Sequence, residues 1–255
     1  MTPSEFSTLS QTYIENWSPG LAALSIKQHR ILLNNNELRA LGQKNRCNSH
    51  WFAGESTPLD TVIQKLETGL KLFPEGAFVR LGSRSPKDSY QFLYRGGFVN
   101  KAELALQLLT TQSERIAYDL YFALRNHYAP SIYLREWQNI PRWAEFRCFM
   151  KNRQLVGISQ YDCINLGHSP EIEQHHMKIK QAICDFFKNF KTQCLIDDVV
   201  FDVFVETEQD HLKAPVSVKL LELNPWFHKT DACLFDWNKP DDFDASFRYR
   251  LRDEN

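Results

Sequence analysis

Two apolar segments near the C-terminal end restrict this chain's fold more than any other feature. VVFDVFVE (199–206) and VSVKLLELNP (216–225) are rich in β-branched and aromatic residues and flank the polar stretch TEQDHLKAP. That pattern predicts a hairpin of two buried strands. Each strand carries an acid. Side chains alternate with period two, so Asp202 lies on the face opposite Phe201, Val203 and Val205, and positions 220, 222 and 224 share one face of the second strand. The midpoint between Asp202 and Glu222 is 212, inside the polar connection, so a turn there sets the two acids opposite each other. Opposed residues have Cβ atoms about 4.5–5.5 Å apart, and two carboxylates that close repel. A hard divalent cation with oxygen ligands removes the conflict, and Asn224 adds a neutral oxygen one step along. Magnesium takes few protein ligands and completes its shell with phosphate and water, so Asp202, Glu222 and Asn224 suit a metal and a nucleotide phosphate. The alternative is that both acids lie at sheet ends and meet solvent or arginine.

A triphosphate needs cations besides the metal. Three arginines interrupt apolar strand patterns: Arg80 in AFVRLG, Arg135 in IYLREW and Arg147 in AEFRCFM. Guanidinium in such a place suits a bidentate phosphate or carboxylate, and each arginine could equally pair with Glu136, Glu145 or a nearby Asp. Behind Arg80, Gly82 opens the loop GSRSPKD, whose backbone can approach a ligand closely, with Lys87 and Asp88 on its far side. Neither GxxxxGK[ST] nor GxGxxG occurs, so the usual phosphate loops are excluded.

The rest of the chain reads as a mixture of helices and hairpins. Helices are expected over 2–17 and 59–73 (the latter capped by Thr57 with Pro58 just inside), over NKAELALQLLTTQ behind Asn100, over SERIAYDLYFALRNHY with His127 on the helix face, and over SPEIEQHHMKIKQAICDFFKNF behind Ser169 and Pro170. The polar stretch 34–56 reads as irregular, and GAFVRLGSRSPKDSYQFLY as two strand pieces around a loop. SIYLREW, AEFRCFM and LVGISQYD are strands, the last two joined by the turn KNRQ. This order argues for α+β. Thirty basic and thirty-one acidic residues give a net charge of −1, which argues against non-specific nucleic-acid binding. The first residues lack the basic and apolar regions of a secretory signal, and no apolar run approaches the ~18 residues of a membrane span. Six scattered cysteines without CxxC read as free thiols in a reducing cytoplasm; HExxH spacing is absent too, and His175 and His176, adjacent on one helix, face different ways.

FVRLGSRSPKD, YLREW, AEFRCFMKNRQLVGISQYD, FDVFV and LLELNPWFHKTDACLFDW, in that order, resemble the cell division cycle protein 123 family, a divergent branch of the ATP-grasp fold, over about residues 75–240. The resemblance implies an α+β, ATP-grasp-like architecture: two lobes, 1–130 and 131–255, with antiparallel sheets and flanking helices enclosing a cleft for ATP and Mg²⁺. It places Arg80 where the family has a phosphate-contacting lysine, and Gly82 and Asp88 in the neighbouring nucleotide loop. It makes Arg135, Glu136 and Trp137 the hinge whose backbone reads adenine, sets Arg147 near the phosphates, and puts Asp202, Glu222 and Asn224 on magnesium. The chain departs from the family pattern at Arg80, at Glu222, where Asp is common, and at Tyr161, where Arg is usual. Eukaryotic relatives are cytoplasmic assembly factors that bring together translation initiation factor 2 through its gamma subunit. The resemblance therefore implies a protein partner, met by Trp226, Phe227 and the polar N-terminal loop. The rival reading is an ATP-dependent carboxylate–amine or carboxylate–thiol ligase working through an acyl-phosphate, with Arg80 and Arg147 as its catalytic cations. On either reading, Asp202→Ala removes magnesium-dependent ATP binding and leaves the fold intact.

Overall fold

The computed structural model describes residues 2–239 and 241–252 and divides into two compact units, Met1–Glu15 with Lys27–Gln138, and Asn16–Ile26 with Asn139–Asn255. The first unit opens with α1 (Pro3–Ser10), where Thr2 and Glu5 form a reciprocal capping box. The helix expected to run to residue 17 stops there. A single 3₁₀ turn at Ile14–Asn16 follows, and Phe6, Tyr13 and Trp17 are still buried.

After α2 (Pro19–Ala23), which belongs to the second unit, come β1 (Gln28–Leu32) and α3 (Asn35–Asn45). Helix α3 lies in the stretch expected to be irregular. Its signal was present as Asn34 three residues before Glu37, each bonding the other's backbone at 2.9 Å, with Leu38 and Leu41 buried one turn on. Next come α4 (Asp60–Leu70), β2 (Ala77–Leu81), α5 (Tyr90–Arg95), β3 (Phe98–Val99), α6 (Ala102–Thr110), α7 (Glu114–Arg125) and β4 (Ser131–Glu136). Helix α4 begins after Leu59 without a side-chain cap, so Thr57 is not its cap; α6 begins after Lys101, so Asn100 is not its cap either. The second apolar piece of 76–94 is helical, and His127 lies beyond the end of α7 with φ 51°.

The four strands pair antiparallel in the order β1-β4-β2-β3. One face carries Ala77, Val79, Leu81, Ile132 and Leu134 into a core shared with Leu38, Leu66, Leu109 and Ile116. Because β4 is hydrogen-bonded between β1 and β2, it belongs to the first unit, and the boundary falls after Gln138 rather than at 130.

The second unit adds β5 (Glu145–Lys151), β6 (Gln154–Gln160), α8 (Pro170–Gln193), β7 (Val199–Val205), β8 (Thr207–Glu208), β9 (His211–Leu212), β10 (Val218–Pro225) and β11 (Phe247–Arg248). Its sheet runs β10-β7-β5-β6-β11 and is antiparallel except for β11 beside β6. The KNRQ turn joins β5 to β6 with Asn152 and Arg153 both at positive φ, which suits the twist of a tight hairpin. Ser169 caps α8 behind Pro170, as expected, and Phe187 and Phe190 of that helix stack on Phe201 at 6.2 and 4.1 Å. The architecture is α+β. No helix among the described residues is long and apolar enough to cross a membrane.

Candidate functional site

Strand β10 meets β7 with Glu222 directly opposite Asp202, as the hairpin midpoint predicts. The strand reaches that register through an irregularity. Val218, Lys219 and Leu220 pair in one register and Glu222 onward in another, leaving Leu221 as the extra residue of a β-bulge. The bulge corrects the simple alternation: Leu220 pairs with Val203 and is buried on the helix side, while Glu222 takes the other face with Asp202. In a regular strand, Leu221 would stand opposite Asp202, and Glu222 would point toward α8.

The same row continues across the sheet. Asp202 pairs with Arg147 on β5, and Arg147 with Ser159 on β6, so four neighbouring strands contribute Ser159, Arg147, Asp202 and Glu222 to one face. Arg147 grips Asp202 with both arms of its fork, Nε to Oδ1 and Nη2 to Oδ2, each at 2.8 Å. Its remaining nitrogen, Nη1, donates to the carbonyl of Asp231 at 2.9 Å, and its guanidinium lies 4.9 Å from the centre of the Tyr161 ring. Asp202 has no exposed surface and Arg147 only 5%. Burial pushes the Asp202 carboxyl above its ordinary range, Arg147 pulls it back, and the neighbouring Glu222 pushes it up again. Beside the row, Phe149 packs against Trp226, Phe235, Trp237 and Phe243. Trp226 is thus an aromatic-cluster residue, and of the two aromatics expected to be exposed only Phe227 is, at 42%.

The donor set fits magnesium in a restricted way. Both Asp202 oxygens accept from Arg147, and Oδ2 also accepts from the Asn224 amide at 3.1 Å. Turning its amide nitrogen to Asp202 commits Asn224 to offering its carbonyl oxygen elsewhere. The half-buried Glu222 carboxylate, itself bonded to Asp202, and that carbonyl are the oxygens on this face that could meet a cation. Among the described residues no three His, Cys, Asp or Glu side chains gather as a metal site. Two protein oxygens, with phosphate and water completing the shell, is a magnesium pattern.

In the first unit, Phe78, Arg80, Tyr133 and Arg135 point away from the helix-covered core, since Phe78 pairs with Arg135 and Arg80 with Tyr133. Arg80 and Arg135 are 4% and 3% exposed, and Arg80 Nε donates to the carbonyl of Leu81. Arg30 joins the same face from β1, its Nε bonded to Ser131 at 2.9 Å. Thus three guanidinium groups share one sheet face.

Gly82, Asp88 and the hinge have structural partners. A side chain at Gly82 would put its Cβ 1.4 Å from a Glu15 carboxylate oxygen, so the glycine makes room for Glu15. Asp88 accepts from Ser113 Oγ at 2.6 Å and from the Arg115 amide at 3.0 Å, closing the start of α7. The Glu136 and Trp137 amides donate to the carbonyls of Lys27 and Gly76, and the Trp137 ring packs on Phe98 at 5.3 Å.

Sequence reasoning passed over the ion pair of Asp119 with Arg84, Oδ2 to Nε at 3.3 Å. Asp119 stands on the buried stripe of α7 between Ile116 and Leu120, and an acid on such a stripe was the available signal.

The profile of the D123 family matches residues 29–251. The chain belongs to the D123 family. Similar relatives include a translation initiation factor eIF2 assembly protein from Xenopus tropicalis, 26% identical over 184 residues that cover 69% of this chain and 52% of the relative. Another is cell division cycle protein 123 from Phaeosphaeria nodorum, 28% identical over 67% of this chain and 44% of the relative. This D123 chain therefore spans about half the length of these curated relatives. The solved structure of C-terminally truncated Cdc123 from Schizosaccharomyces pombe matches with a TM-score of 0.77 at 21% identity, covering 99% of both chains. The fold is thus the α+β fold of Cdc123.

Proposed function

We propose that this D123 protein binds ATP with Mg²⁺ and uses the bound state to present a surface for assembling a multisubunit partner. The observation that carries the nucleotide half is the row Ser159–Arg147–Asp202–Glu222 with Asn224 beside it. Burying an arginine and an acid beside a second, half-buried acid is costly in a sheet that apolar residues could fill, and such clusters concentrate at binding sites. Glu222 and Asn224 would hold the cation, Asp202 would orient them, and Arg147 would fix Asp202. Bound magnesium would supply charge neutralisation for the phosphates. Arg30, Arg80 and Arg135 are the first unit's cationic candidates for phosphate contact. The names of the Xenopus and related proteins, which assemble translation initiation factor eIF2, support the partner half, and the gamma subunit of that factor is the proposed contact.

Isothermal titration with ATP, with and without Mg²⁺, followed by product analysis and by co-precipitation with the separate subunits of initiation factor 2, tests the reading. Magnesium-dependent ATP binding without turnover, plus capture of the gamma subunit, is the expected result. No heat with ATP removes the nucleotide half. Turnover stimulated by free carboxylates replaces assembly with ligase chemistry.

A further inference from the structure

Two of the thiols meet at one carbonyl. Cys163 lies in the turn after β6, where its amide donates to the carbonyl of Tyr161 at 3.0 Å, and the Cys233 thiol donates to that same oxygen at 3.7 Å. Cys163 is 4% exposed and Cys233 is half-buried. The loop after β10 is laid against this turn. The Leu234 amide donates to Ser159 Oγ at 3.2 Å, and Arg248 and Arg250 donate to the carbonyls of Leu234 and Cys163. Both cysteines sit in turns, so neither backbone is locked into a helix or a sheet ladder.

The Cys233 backbone is itself unusual. Its φ is 54°, in the left-handed region where glycine or asparagine is the ordinary choice. An observed outlier of this kind points to a use for the side chain it carries. Burial raises the pKa of both thiols, and Asp231 adds to the rise. Arg147 pulls Cys233 back, Arg250 pulls Cys163 back, and each thiol perturbs the other. The pair therefore rests protonated and reduced, and its oxidation is slow.

We infer that Cys163 and Cys233 are a redox pair whose disulfide fastens the loop after β10 to the end of β6. The oxidant is a small-molecule disulfide of the glutathione class. Cys233, the more exposed thiol, gives its proton to water and attacks one sulfur of that disulfide. A mixed disulfide forms, the small molecule's S–S bond breaks, and one thiolate leaves and is protonated. Cys163, deprotonated in turn, attacks Cys233 Sγ; the protein disulfide forms, and the second small thiolate leaves and is protonated. Two protein thiols have then lost two electrons, and one small disulfide has become two thiols. Excess thiol runs the exchange backward. The link lies beside Arg147. The Asp231 carbonyl that accepts from Arg147 is two residues before Cys233, and the Tyr161 ring against the guanidinium is two residues before Cys163. Oxidation thus stiffens the support of the buried arginine.

The test incubates the folded full chain with oxidised glutathione, quenches with acid, alkylates the remaining thiols and maps the peptides by mass spectrometry. Parallel samples go to thermal melting and amide hydrogen exchange. A 163–233 disulfide is expected, with a melting temperature higher by roughly 5–10 °C and slower exchange over 231–235. Dithiothreitol should reverse each change. Cys163→Ala is expected to stop at a glutathione adduct on Cys233, and Cys233→Ala to leave Cys163 free, both melting as they do untreated. Melting of the untreated variants checks that they fold. Treated wild type with both thiols still free overturns the inference, as does a link that forms only in denaturant. A native link that shifts melting by less than about 1 °C overturns the fastening.

Discussion

The guanidinium of Arg147 and the carboxylate of Asp202 form a two-pronged contact, both prongs at 2.8 Å, on adjacent strands with almost no solvent exposure. Two charges in this position depend on each other. Removing either strands the other in a low-dielectric interior, whereas removing both leaves a surface that apolar side chains can fill.

Arg147→Ala is therefore expected to lower stability by about 3–5 kcal/mol, and Asp202→Ala by a similar amount. The double change Arg147→Met with Asp202→Leu should lose far less than the sum. Urea unfolding of the four proteins measures the coupling, and additive losses would contradict it. The expectation from sequence that Asp202→Ala spares the fold is thus replaced, because the alternation pattern did not show which cation holds Asp202.

Gly157 gives a packing prediction. A Cβ there would lie 2.7 Å from the Phe235 ring, which is packed against Phe149 and Phe243 and cannot step aside. Gly157→Ala is expected to cost about 1–3 kcal/mol. In a Phe235→Ala background the same substitution should cost almost nothing, and thermal melting of the pair of pairs reads the difference.

Glu15 sets a pH dependence. Burial raises its pKa, and the nearby Tyr128 and Arg30 pull it back only in part. For an acid whose folded pKa lies above its unfolded value of about 4.3, the folded state holds the proton longer, so stability falls as pH rises between those two values. Glu15→Gln removes this loss. The stability of the variant relative to wild type should therefore rise from pH 4 toward neutrality, as read by urea melts at several pH values. A constant difference would show that Glu15 titrates normally.

The thiols divide by environment. Cys148 is fully buried on β5, and burial raises its pKa far above that of a free thiol, whereas Cys184 is half-buried on α8. Alkylation of the native protein at neutral pH is expected to modify Cys184 well before Cys148, and denaturation should equalise them. Peptide mass spectrometry resolves the order.

The hairpin was readable because both its strands follow a two-residue rhythm and its centre is polar; Asp202 against Glu222 came out in register. The route to that register was not readable. A bulge at Leu221 is a decision of the sheet, made where two local pairings meet, and no residue type announces it. Helix α3 went unread because its many amides and charges hide a short apolar face, although Asn34 and Glu37 marked its start. The cap positions of α4 and α6 slipped because tertiary packing, not capping chemistry, fixes where those helices begin. Arg147 was seen as a buried cation, but its partner lay 55 residues away and only topology could name it.

The irregularity at Leu221 also bears on how molecules of this kind avoid one another. Strand β10 is the outer strand of its sheet, eight residues long, and such a border invites a second chain to add itself as a further strand. Here the kink interrupts the flat run, and Leu24 and Ser25 occupy the Leu220 amide and carbonyl just before it. The displacement that turns Glu222 toward Asp202 thereby also denies the border a continuous template, so a change that straightens β10 should favour self-association along that edge.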